Sequence, residues 1–201
     1  MIKLIKRLFS LIFLIFILGT VYYIYHIHQA VLNVKEYEPV VVKVIEDETI
    51  DKDLVLAIIF QETKGGKVDV MQSSESVTGS TNTTDDSTTS IENGVSHLAE
   101  VLAYAEEKET DIWTGVQAYN FGIAYVDYVA LHGSIHTITL AENYSKDILA
   151  PSLGNANAQT YSYKTIKSMK YNKGKLYVNG GNFFYAEEIK VKMQFMKWLD
   201  W

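Results

Sequence analysis

A chain of 201 residues, 48% of them apolar, has room for one domain with a sizeable core plus an appendage, and its 14 tyrosines exclude a disordered chain. The net charge of −6 argues against nucleic acid as the main partner, and the absence of cysteine excludes disulfides, thiolate metal sites and a cysteine nucleophile. That charge is unevenly spread: residues 1–30 carry +3, residues 31–160 carry −14 and residues 161–201 carry +5. The basic tail reads as a solvated surface that also packs against the acidic body.

Taken in chain order, the first feature is a membrane segment. Lys3, Lys6 and Arg7 precede an uncharged run from Leu8 to Ile27, and about 20 apolar residues span a hydrocarbon core. The positive flank is expected in the cytoplasm and the body outside. The run is longer than a signal-peptide core of about 7–15 residues, and no small-residue cleavage site is evident near Tyr25–His28. Residues 1–30 are therefore expected to form a basic stub and an uncleaved single-pass anchor, the chain being secreted only if that segment is cut. Residues 31–48 read as a juxtamembrane stalk, and residues 49–201 as one domain.

Within the domain, Asp51 is placed to cap a helix through Leu54–Phe60, with Gly65-Gly66 as its stop. Val55, Ile58, Ile59 and Glu62 fall on one face of it. Residues 67–90 form a polar loop. Ile91, Val95, Leu98, Leu102 and Ala105 then mark an amphipathic helix. Asp111 caps the next helix and Gly122 ends it, and a further helix from Ile123 stops near Gly133. A capping box at Thr139 and Glu142 opens a helix ending before Pro151. Residues 171–178 read as a small hairpin turning at Asn172–Gly174, and Phe184–Trp201 as a closing amphipathic helix.

Three polar clusters stand out from this frame: Gln61-Glu62-Thr63, Met71-Gln72-Ser73-Ser74-Glu75-Ser76, and Ala118-Tyr119-Asn120-Phe121-Gly122. A carboxyl group on an apolar helix face favours its protonated form. A protonated acid is what glycosidic cleavage needs to donate to the leaving oxygen. A helix-terminal glutamate reaching water is the plain alternative. For a second carboxylate, Glu75 leads and Asp69, Asp85 and Asp86 compete, each also readable as a solvated loop acid. Gln72, Ser73 and Ser74 offer hydrogen bonds to sugar substituents, or else satisfy their own backbone. Tyr119 and Asn120 pair an aromatic ring with an amide, or else are a core tyrosine and a helix-end asparagine. His132 and His136 share a four-residue spacing without a third ligand, His97 reads as a helix-surface residue, and no metal or cofactor is expected.

These three clusters, in this order and spacing, resemble the lysozyme-like domain of Gram-positive cell-wall hydrolases. That group includes the N-terminal domain of CwlT-type enzymes and pneumococcal vaccine antigen A, and is similar more distantly to goose-type lysozymes and soluble lytic transglycosylases. The match covers roughly residues 36–150, and Gly180-Gly181-Asn182-Phe183-Phe184-Tyr185 looks like the family's closing helix. The resemblance implies a mainly α, lysozyme-like fold with a small β-hairpin. It implies that Glu62 is the general acid and that Gln72, Ser73, Ser74, Tyr119 and Asn120 line the glycan groove. The 13-residue interval from Glu62 to Glu75 matches that between the acid and a downstream carboxylate in goose-type enzymes. Two departures are a missing proline in Lys64–Asp69 and the absence of a second, peptide-cleaving domain. The implied activity is N-acetylmuramidase action on peptidoglycan strands outside the cell. A lytic transglycosylase and a non-catalytic surface glycan-binding protein are the alternatives. Conjugation or wall-remodelling proteins are partners implied by resemblance alone.

Overall fold

The computed structural model describes residues 2–46, 48–66, 68–73 and 86–199. Helices dominate. Helix α1 (Ile2–Lys35) leads into α2 (Glu38–Val44) and the buried α3 (Lys52–Glu62). Then follow α4 (Ser87–Glu107), α5 (Ile112–Phe121), α6 (Ala124–Ala130) and α7 (Ile138–Tyr144). A widened turn over Ser145–Leu149 joins α7 to the short α8 (Ala150–Ser152). The tail holds β1 (Thr160–Ser162), α9 (Ile166–Asn172), β2 (Lys175–Tyr177) and α10 (Tyr185–Trp198).

Helix α3 is the centre of the core. Asp51 caps it, its carboxylate accepting from Asp53 N–H at 2.8 Å. Seven consecutive residues, Leu54 to Phe60, are buried. At roughly 1.5–3 kcal/mol for each fully buried large aliphatic side chain, this segment is a main source of stability. Burial all round also means that helix phase says less about Glu62 than its one-face placement implies: the glutamate is half-buried at the helix end. Helix α10 lies antiparallel against α3, with Tyr185 near Glu62 and Lys197 near Asp53. The α4–α5 pair and α6 complete the helical body. Within the segment read as a stalk, residues up to Lys35 and Glu38–Val44 are helical, and Val31, Val34 and Val41 are fully buried.

Several boundaries agree with the sequence. Asp111 caps α5 through Thr114 N–H at 3.1 Å, and Gly122 closes it at φ +87°, a conformation that suits glycine. Three expectations are corrected. The cap of α7 is Thr137, which accepts from Leu140 N–H at 3.1 Å, and not Thr139. The helical path does not end before Pro151: the chain widens at Ser145–Leu149 and Pro151 sits in the first turn of α8, where its missing N–H does no harm. Nor is there a hairpin at 171–178. Ile166–Asn172 is helical, Lys173 and Gly174 form its left-handed end (φ +62° and +73°), and β2 pairs antiparallel with β1, Tyr161 opposite Leu176.

Asp111 also accepts from His136 N–H at 3.0 Å, tying the α6–α7 connection to α5. His136 is buried against Tyr125, whose hydroxyl lies 3.0 Å from Nδ1, and its Nε2 has no partner among the described residues. Burial, helped by the nearby Lys190 charge, pulls its pKa down to about 4. The unfolded chain protonates this imidazole first, near pH 6.5. The native state is therefore fully stabilised above pH 6.5 and loses stability as pH falls toward 4, by up to about 3 kcal/mol. Urea unfolding at pH 7 and pH 4.5 tests this. The loss should shrink markedly in His136→Gln, and an equal loss in both proteins would refute it.

Candidate active site

Three chain segments converge at the C-terminal end of α3. The helix stops because Thr63 turns out of helical geometry, and Lys64 and Gly65 take positive φ values of 54° and 72°. Thr63 then staples the following loop, donating from Oγ1 to Val70 O at 2.9 Å. This places Glu62 at the lip of the core. Tyr185, the first residue of α10, donates its hydroxyl to Glu62 Oε1 at 2.7 Å. Burial and the Glu62 charge push the Tyr185 phenol well above its usual pKa, so it stays a donor.

Tyr119 stacks on Tyr185 with ring centroids 6.2 Å apart, and its hydroxyl donates to Met71 O at 3.2 Å. Burial first, and the Glu62 and Asp69 charges second, raise its pKa as well. The His97 ring lies 5.1 Å from that of Tyr119, tilted by 42°. His97 thus belongs to this aromatic stack and is half-buried, not the plain surface residue its sequence context implies. Glu62 is consequently walled by two phenols that cannot readily lose their protons.

The loop carrying Gln72 is braced from inside. Asp69 is buried and accepts from Ser73 N–H at 2.9 Å and from the Ser90 hydroxyl at 2.7 Å. Ser73 is buried too, its hydroxyl donating to Ser90 O at 2.9 Å, which holds the loop to α4. Gln72 is exposed with φ +49°, its amide 3.5 Å from Glu62 O. Asp86 caps α4 through Thr89 N–H at 2.8 Å. Ser74, Glu75 and Asp85 lie outside the described residues.

Asn120 is exposed at the end of α5, and its Oδ1 accepts from Asn182 N–H at 2.8 Å. That bond fixes which end of the amide is left over, presenting the NH₂ group outward. Beside it runs a groove of about 600 Å³, lined by Asn120, Gly122, Leu149, Leu153, Asn179 and Gly181. Gly181 has φ +63°, and a Cβ there would meet the Phe121 ring at 2.8 Å and Asn120 Oδ1 at 3.0 Å. The backbone approach at the groove floor therefore requires glycine.

Two residues that motif reading did not single out hold this arrangement. Tyr185 is one, and the closing Gly180–Tyr185 block was its only signal. Glu188 is the other. It is buried, accepts from Tyr163 O–H at 2.7 and 2.8 Å, from Gln61 Nε2 at 3.0 Å and from Asn182 Nδ2 at 3.1 Å. Lys192 lies 3.9 Å from the same carboxylate. One buried acid thereby links the residue before Glu62 to the residue that orients Asn120. Among the described residues no group of three or more His, Asp or Glu is placed to hold a metal ion.

Removing the Tyr185 hydroxyl deletes a hydrogen bond to a charged group, worth about 1.5–3 kcal/mol. Tyr185→Phe is accordingly expected to lower stability by about 1.5–3 kcal/mol. Urea unfolding of the two proteins tests this, and an unmoved midpoint would show that the bond does not hold Glu62 in place.

The lysozyme-like family profile matches residues 31–193. A pneumococcal vaccine antigen A homolog from Streptococcus pyogenes serotype M3 is 48% identical over 195 residues, covering 96% of each chain. The bifunctional muramidase/DL-endopeptidase CwlT of Bacillus subtilis is 37% identical over 94 residues, which are 47% of this chain and 28% of that one. Among solved structures, an NLP/P60-family protein similar to a lipoprotein, from Staphylococcus aureus, superposes with a TM-score of 0.72 at 32% identity. It covers 80% of this chain, which spans about half (52%) of the staphylococcal one. With its helical body, small antiparallel sheet and an acid at the end of the central buried helix, the chain belongs to the lysozyme-like family.

Proposed function

We propose that this protein is a membrane-anchored N-acetylmuramidase that cuts the β-1,4 bond between N-acetylmuramic acid and N-acetylglucosamine in peptidoglycan. Glu62 is the general acid. The observation that carries this reading is its setting: a half-buried carboxyl group at the end of an apolar helix, gripped by Tyr185 and walled by Tyr119. From this position the carboxyl group delivers the proton to the glycosidic oxygen while Tyr185 seats it. Gln72 and Asn120 present amides for the N-acetyl and hydroxyl groups of the sugar, and the groove beyond Asn120 receives the strand.

The apolar helix α1 is long enough to cross a bilayer. With Lys3, Lys6 and Arg7 on its cytoplasmic side, the catalytic domain lies outside the cell. Glu75 is assigned as the second carboxylate, positioning the water that attacks the oxocarbenium-like centre. Support for that choice comes by contrast, since Asp69 braces the Gln72 loop and Asp86 caps a helix.

A lytic transglycosylase is the second reading, because Asp69 is turned inward and Glu62 alone can act as acid and then as base. In that reaction the substrate's own hydroxyl closes an anhydro ring. Mass spectrometry of the products from purified peptidoglycan tests the assignment. Reducing muramic ends are expected, and products lighter by one water with anhydro ends would replace hydrolysis by transglycosylation.

A further inference from the structure

Helix α1 does not end with its apolar run. It continues unbroken to Lys35, and its last turns are part of the domain core through Ala30, Val31 and Val34. Asn33 is the floor beneath the turn that follows Glu62: a Cβ on Gly65 would lie 3.0 Å from the Asn33 backbone, and Tyr37 O–H donates to Gly65 O at 3.3 Å. The helix that enters the bilayer is thus a rigid piece of the domain, with no flexible connection to let the domain swing away.

Helix α10 returns toward the membrane. Tyr185 at its start holds Glu62, while Leu199 just past its end puts its carbonyl oxygen 3.3 Å from His28 Nδ1, the residue that follows the apolar run. Fourteen residues separate Tyr185 from Leu199, which is about 21 Å of helix. Trp198, next to Leu199, is 71% exposed, and exposed Lys197 precedes it. Tyr22, Tyr23 and Tyr25 are exposed on the last turns of the apolar run, where aromatic rings gather at a membrane interface. The tip of α10 therefore stands at the same level, and a tryptophan there has one apolar face and one N–H suited to a headgroup layer.

We propose that the tip of α10, through Trp198, docks into the headgroup layer of the bilayer that α1 spans, holding Glu62 within about 20 Å of the lipid surface, one α10 length at 1.5 Å per residue. The occupant of this surface is lipid, because it is continuous with the membrane-spanning helix. Resting on the glycan-cleaving reading, the substrate class follows: strands close to the membrane, such as glycan anchored in the same bilayer.

Because the chain has no cysteine, single-cysteine spin labels on the full-length protein in nanodiscs of phosphatidylglycerol and phosphatidylcholine report one site each. Lys197→Cys, which leaves Trp198 in place at the exposed tip, is compared with Gly66→Cys, an exposed position where a Cβ makes only an ordinary 3.4 Å contact. The ratio of oxygen to nickel-chelate collisions is expected to be several-fold higher at position 197, and equal ratios overturn the docking. A second arm inserts 18 helix-forming polar residues after Ile27, five full turns that raise the domain by about 27 Å without changing its facing. Cleavage of glycan carrying a lipid tail in the same disc should fall at least about 10-fold, while cleavage of soluble oligomers is unchanged. Undiminished cleavage of the anchored glycan overturns the reach limit. If the unmodified chain cuts neither substrate, the glycan reading fails, and the spin-label ratios still decide the docking.

Discussion

Glu62→Gln is expected to lower glycan turnover by about 10³-fold while leaving the fold intact. General acid catalysis contributes roughly 10²–10⁴-fold, and 10³ corresponds to about 4 kcal/mol of barrier. The amide cannot donate the acid proton, yet its carbonyl still accepts from Tyr185, so the contact that seats the side chain survives. The half-buried position tolerates an isosteric neutral group without desolvating a charge. The thermal midpoint should therefore barely move while kcat collapses, as read by differential scanning fluorimetry beside a reducing-end assay. A variant that lost both together would point to a structural role for Glu62.

Glu188→Ala is expected to act in the opposite way, through stability. Its carboxylate receives Tyr163, Gln61 and Asn182, with Lys192 nearby, all in a buried setting. Burial lowers the pKa of Lys192 even with Glu188 beside it, and removing the acid would strand that ammonium. Deleting one partner of a buried charged network costs about 3–5 kcal/mol, a large share of the roughly 5–15 kcal/mol that holds a domain together. Denaturant unfolding of the full-length protein in detergent should show a lower midpoint with an unchanged m-value. Glu188→Gln, which keeps an acceptor, should lose less, and equal losses in the two variants would show that packing rather than the network is at stake.

Much of the helical frame was legible because its signals are local. An aspartate ahead of an apolar run marks α3, and Asp111 and Gly122 bracket α5, since caps depend on residues three positions apart. Composition marks α1 as a helix apolar enough to cross a membrane, but gives no sign of its fusion with the core. Val31 and Val34 look like any valines in a stalk until α3 and α10 are packed against them. The sheet was misplaced because β1 and β2 are separated by a whole helix, and no turn dipeptide records a pairing across that distance. Pro151 was read as a stop, whereas a widened turn before it lets the helical path go on.

The residues proposed for the cleft stand in local sequence clusters, and the residues that support them do not. Glu62, Gln72, Tyr119 and Asn120 stand in recognisable clusters, and the fold brings Glu62 and Tyr119 to the same tyrosine. The bond from the Ser73 hydroxyl to Ser90 O depends on α4 packing over the loop, which local sequence does not record. Tyr185 and Glu188 act on residues more than 120 positions away in sequence, Tyr185 on Glu62 and Glu188 on Gln61, so spacing alone carries no trace of either.

The most direct test of the central claim is the release of soluble fragments from purified peptidoglycan by the full-length protein, measured by mass spectrometry beside the Glu62→Gln variant. Disaccharide-containing fragments with reducing muramic ends, released by the unmodified protein and reduced about 10³-fold in the variant, are the expected result. No release, or release undiminished by Glu62→Gln, would contradict it.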